Sequence, residues 1–87
     1  MDPTSPPAPR LVVPDLGLPW TSIMLSLWLV PEGAAVLEGD RVVELVCGAA
    51  TVDLEAPVTG QLVRRLVDED DVVPPGTALA EFSPAAE

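Results

Sequence analysis

The chain has 87 residues, of which 48% are hydrophobic, 14 acidic and 4 basic, for a formal net charge of -10. That length allows one small domain with a real apolar core, and a surface this acidic repels nucleic acid and anionic membranes, so neither is expected as a partner. A single cysteine, Cys47, excludes an internal disulfide, and the lack of any histidine argues against a structural zinc site; both fit a reducing, cytoplasmic setting. Residues 1–9 (MDPTSPPAP) are too rich in proline for a helix and too poor in apolar surface to fold, and read as a flexible tail. No signal-peptide pattern is legible there, and the most apolar run, Ile23 to Val30, falls well short of the ~20 residues of a membrane-spanning helix.

Arg10 to Pro14 reads as a short strand, followed by a loop bearing Trp20. Ile23 to Val30 reads as a strand rather than a helix, because Pro31 and a Glu32-Gly33 turn end it at once. Ala34 to Leu37 is a short extended piece, and Glu38-Gly39-Asp40 a turn. Arg41 to Val46 and Thr51 to Val58 are two arms of a hairpin with a small-residue tip, Cys47-Gly48-Ala49-Ala50; in the second arm Val52 and Leu54 face one way and Thr51, Asp53 and Glu55 the other. Gln61 to Val67 is a strand, Asp68 to Asp71 a charged loop, Val72-Val73 a short strand, Pro74-Pro75-Gly76 a turn and Thr77 to Phe82 the last strand. Residues 83–87 form a short tail. About eight short strands at this spacing predict an all-β sandwich or barrel spanning residues 10–82.

An internal repeat supports that architecture. Leu29, Val30, Glu32, Val36, Gly39 and Glu44 recur as Leu66, Val67, Glu69, Val73, Gly76 and Glu81 at a constant offset of 37 residues (66 − 29, 81 − 44), and Leu25 and Leu62 share the register. Two half-motifs that each need a partner to bury an apolar face imply quasi-two-fold symmetry. The expected arrangement packs the halves as two sheets face to face, with the hairpin joining them at one edge and the chain ends at the other.

These residues resemble a family. Val13-Pro14-Asp15-Leu16-Gly17, Trp28-Leu29-Val30, Glu32-Gly33, Val36, Gly39, the run Ala50 to Gly60 (ATVDLEAPVTG) and Val73-Pro74-Pro75-Gly76 look like the lipoyl domain of dihydrolipoamide acyltransferases, a member of the biotin/lipoyl-attachment family found in 2-oxoacid dehydrogenase complexes. The resemblance covers roughly Arg10 to Phe82, and Ala50 to Gly60 is its specific part. It implies a flattened β-barrel, a barrel-sandwich hybrid of two four-stranded antiparallel sheets. It also implies a cofactor on a tip lysine, which falls here on Ala49, with the preceding aspartate on Gly48. The amide to lipoate or biotin needs a side-chain primary amine. The basic residues are Arg10, Arg41, Arg64 and Arg65; the chain has no lysine, and arginine cannot form that amide. The resemblance is therefore to a degenerate member, and no cofactor is expected. Ile23 is a smaller departure, standing where the family often has glycine.

The leading expectation is a non-catalytic, unlipoylated accessory protein that docks on an acyltransferase of the dihydrolipoamide-acyltransferase type through Gly48, Ala49 and Ala50; Trp20 is either a further anchor for that partner or a cap on the barrel end. By resemblance its setting is acetyl transfer in natural-product biosynthesis of the tetronate type. An alternative makes Cys47 an acyl-accepting thiol; another is an inactive carrier whose attachment lysine was lost or replaced. Asp68 to Asp71 lacks the spacing of a calcium loop, so no metal site is expected, and its charges are expected to pair with the adjacent Arg64 and Arg65. No Ser/His/Asp arrangement or phosphate loop is legible, so no catalytic residue is assigned.

Overall fold

The computed structural model describes residues 8–17 and 22–85. Seven strands are present there: β1 Arg10–Val12, β2 Ile23–Trp28, β3 Ala35–Val36, β4 Arg41–Cys47, β5 Ala50–Glu55, β6 Gly60–Arg65 and β7 Ala78–Pro84. They form two antiparallel sheets, β1-β7-β6-β3 and β2-β4-β5, which define an all-β barrel-sandwich. Strands end where donors run out or are diverted. β5 stops at Glu55 because Ala56 donates its N–H to the Asp40 carbonyl at 2.7 Å and Pro57 has no N–H to give. β7 runs past Phe82 to Pro84, so the ordered domain extends into the expected tail, and the Phe82 N–H donates to the Pro9 carbonyl at 2.9 Å.

The expected pair of four-stranded sheets is met on one side only. In the β2-β4-β5 sheet the fourth place is held by a single bridge between Met24 and Val72. Pro74 and Pro75 follow at once and cannot extend a ladder. The hairpin β4–β5 also lies wholly within one sheet and does not join the two.

The repeat is realised as an exchange between halves. Leu62 in β6 donates to the Ala34 carbonyl at 2.9 Å and accepts from Gly33 at 2.7 Å. Its counterpart Leu25 in β2 donates to the Asp71 carbonyl at 2.9 Å and accepts from Asp70 at 2.7 Å. Each half thus supplies the outermost segment of the other half's sheet. The same offset relates Leu29, which donates to Val42 at 2.8 Å, to Leu66, which donates to Leu79 at 2.8 Å. It relates the bulge between Leu25 and Leu27 to that between Leu62 and Arg64. It also relates Gly33 (φ 88°) to Asp70 (φ 75°), where the short polar side chain tolerates a left-handed backbone.

Between the sheets lies a core of Val, Leu and Ala closed by Phe82 and Trp28; Leu25, Val42, Val43, Leu45, Leu62, Val73, Leu79 and Ala80 are 0% exposed. No polar or charged residue is buried among the described residues, so the core owes nothing to ion pairs. Trp28 and Arg65 are related by the offset and meet: the guanidinium carbon sits 5.1 Å from the indole centroid. Each also bonds the other's neighbourhood. The Trp28 indole N–H donates to the Val67 carbonyl at 3.2 Å, and Arg65 Nη2 donates to the Val30 carbonyl at 2.6 Å. The Trp28 backbone N–H donates to Glu69 at 3.0 Å, as that of Arg65 donates to Glu32 at 2.8 Å.

Gly60 pairs with Pro84 where β6 and β7 approach closely. A Cβ there would run into the Ser83 carbonyl oxygen and lie 2.8 Å from Pro84 Cα, both backbone atoms that cannot swing aside. Gly60→Ala is expected to destabilise the domain by about 1–3 kcal/mol, read as a lower urea midpoint at unchanged slope.

Candidate functional site

The tip of the β4–β5 hairpin follows from two facts of register and backbone. Cys47 pairs with Ala50, so only Gly48 and Ala49 turn the chain. Gly48 has φ 63° and Ala49 is not left-handed, which is the pattern of a two-residue II′ turn with glycine at its first central position. Gly48, Ala49 and Ala50 are all exposed. The turn is short, rigidly paired and chemically bare: it presents methyl groups and backbone to solvent. A group held by an amide has no side chain to attach to, because neither the tip nor the rest of the chain offers a lysine. The residues present therefore do not fit a covalently carried cofactor.

Cys47 stands one residue inside that tip, but its side chain points into the core. Inward positions on β4 alternate as Val43, Leu45 and Cys47, and Cys47 is 4% exposed. A thiol so placed is shielded from an acyl donor, and no histidine exists to activate it. Trp20, expected as a docking residue or as a cap on the barrel end, lies outside the described residues.

The acidic loop behaves differently from expectation. Neither Arg64 nor Arg65 forms an ion pair with it. Arg64 pairs with Glu81 at 3.3 Å, and Arg65 is turned towards Trp28 and the Val30 carbonyl. The loop's carboxylates serve the backbone instead: Asp71 accepts from the Asp68 N–H at 2.9 Å and Glu69 from Trp28. No group of His, Cys, Asp or Glu is placed to hold a metal ion among the described residues, and no helix there is long and apolar enough to cross a membrane.

Sequence comparison agrees with this geometry. The model of the family described as "Biotin-requiring enzyme" matches residues 9–82. The chain belongs to the biotin/lipoyl-attachment family. Within it, the chain is 31% identical over 80 residues to the dihydrolipoyllysine-residue acetyltransferase component of the acetoin cleaving system of Bacillus subtilis, covering 92% of this chain and 20% of that one. The corresponding Pseudomonas putida component is 33% identical over 70 residues, covering 80% and 19%. The acetyltransferase component of the pyruvate dehydrogenase complex of Mycobacterium bovis is 32% identical over 80 residues, covering 92% and 14%. The chain thus spans a fifth or less of these relatives. Among solved structures, a single-chain, multi-domain long-chain acyl-CoA carboxylase superposes with a TM-score of 0.70 at 26% identity, over 93% of this chain and 7% of that one.

Because Cys47 is packed among core side chains, it is expected to resist iodoacetamide in the native protein and to react fully in denaturant. Intact mass after timed quenching measures both rates.

Proposed function

We propose that this protein is an unloaded lipoyl-like partner of a dihydrolipoamide-acyltransferase-type enzyme, working by docking and not by carrying an acyl group. The observation that carries the reading is the combination at the hairpin: relatives that are acetyltransferase components share the scaffold, while the exposed turn Gly48-Ala49 has no amine. Ala49 is the position equivalent to the family's attachment lysine on this reading. A rigid, bare turn suits contact with a protein surface, since it enters a cleft at little cost in side-chain entropy. Catalysis is assigned to the partner; the proposed setting is acetyl transfer in natural-product biosynthesis of the tetronate type, which rests on resemblance alone. The burial of Cys47 gives no support to the alternative in which its thiol takes the acyl group.

Two results are expected. The protein should co-elute with such an acyltransferase from its host on a sizing column and raise that enzyme's rate, with the intact mass of the chain unchanged throughout turnover. A lipoyl, biotinyl or acyl adduct on the native protein, or full activity of the enzyme alone without complex formation, overturns the reading. Ala49→Lys restores the missing amine at an exposed II′ position and is expected to make the domain a substrate for a lipoate ligase, detected by mass; the wild-type chain should stay unmodified beside it.

A further inference from the structure

The two sheets are built on one plan, so each is a control for the other. On the outer face of β1-β7-β6-β3, Glu81 in β7 lies between Arg10 and Arg64, at 3.2 and 3.3 Å, and its side chain is 18% exposed. The offset of 37 takes Glu81 to Glu44 (81 − 37) and Arg64 to Leu27 (64 − 37). The strand pairings take Arg10, opposite Glu81, to Asp53, opposite Glu44. One sheet therefore carries an arginine–glutamate–arginine row. The other carries Leu27–Glu44–Asp53 in the same row, with Leu27 and Asp53 as the direct cross-strand neighbours of Glu44.

Two carboxylates directly opposite on adjacent strands repel each other. Arg41 reaches Asp53 at 3.6 Å with a side chain 74% exposed, a pair of little worth in water. Glu44 has no ion pair among the described residues. On the β2 side its neighbours are apolar. Leu27 is 46% exposed, and the next row towards the tip is Val72, Met24, Val46 and Thr51, with Val72 66% exposed. The equivalent row on the other sheet contains Gln61 and Ser83. Both outer faces expose some valine or leucine; what separates them is that one is neutralised from within and the other is left acidic.

We propose that the outer face of the hairpin sheet, centred on Glu44 between Asp53 and Leu27, is the surface on which the partner docks, and that the partner meets it with an arginine or lysine set among apolar side chains. The inference rests on the docking function proposed above and adds to the contact of the turn a charged patch on the face of the same hairpin. A cation seated between Glu44 and Asp53 supplies what Arg10 and Arg64 supply to Glu81. Charge-assisted bonds to a half-buried carboxylate are among the stronger polar contacts available to an interface. A second copy of the chain does not meet the requirement, because it brings the same carboxylates to the contact and a net charge of -10 to the encounter.

The test moves the arrangement of one sheet onto the other. Leu27→Arg with Asp53→Arg gives Glu44 its own pair of cations. Binding of the full chain to the host's acyltransferase is then measured by titration calorimetry at low and at high salt. The double variant is expected to fold at least as stably as wild type and to bind about tenfold or more weakly, and wild-type affinity is expected to fall as salt rises. Glu44→Gln, which preserves shape, should weaken binding in the same direction and carries the test alone if the double variant does not fold. Arg10→Gln, on the opposite sheet, should bind as wild type. Undiminished binding by folded double variant or by Glu44→Gln, while wild type binds, overturns the surface and leaves the docking function standing. Failure of wild type to bind overturns both.

Discussion

Leu25 and Leu62 each do two things at once: their side chains lie at the centre of the core, and their backbones donate to and accept from the opposite half of the chain. Neither half can satisfy those donors and acceptors alone. Residues 33–34 close the sheet to which Leu62 belongs, and residues 70–71 close that of Leu25. A buried amide left without a partner costs on the order of 1–3 kcal/mol, so separating the halves would strip both sheets of an edge and expose the apolar layer in the same event. The barrel is held by mutual completion of its two halves.

That constraint also explains what can be read from the residues and what cannot. The strands were legible from alternation and from glycine and proline punctuation, and the equivalence of the halves from a constant offset. The exchange between halves was not, because a repeat says which segments correspond and is silent on which sheet each one joins. Packing each half as its own sheet satisfies the same pattern of apolar residues; the bonds of Leu25 and Leu62, with the β3–β6 ladder and the Met24–Val72 bridge, distinguish the two. Val72-Val73 reads as a strand by composition, yet prolines at its end leave room for a single bridge. At the site, a tight small-residue tip was legible as four residues, and the pairing of Cys47 with Ala50 narrows it to two; the inward direction of Cys47 was also legible in principle, since it continues the alternation of Val43 and Leu45. The opposition of Glu44 and Asp53 was available by the same counting from the turn: 47 with 50, then 44 with 53. The expected link between Arg64, Arg65 and the acidic loop fails because adjacency in sequence across a strand end says little about direction. Arg64 looks outward along the sheet to Glu81, and Arg65 turns in over Trp28.

Symmetry is kept in the core and lost where surface contacts are decided. Trp28 and Arg65 mark the boundary. They occupy equivalent positions and touch, so the pair is best served by unlike residues, and a cation over an indole face is a better contact than two guanidiniums or two indoles would make there. Their flanking carbonyls and carboxylates remain matched on both sides, from Glu32 and Glu69 to Val30 and Val67. Outside that layer the two sheets part company in charge.

The antiparallel pairing of β1 with β7 carries a topological consequence. It brings the two ends of the domain together in the place that β4 and β5 occupy in the other sheet, where Gly48 and Ala49 bridge the gap. Cutting the chain between those two residues and joining the start of β1 to the end of β7 with a short turn would give a circular permutant whose ladders are the same ones traced in a different order. The starting point of the chain is then incidental, and the closed loop of strands is the object that the interior side chains define.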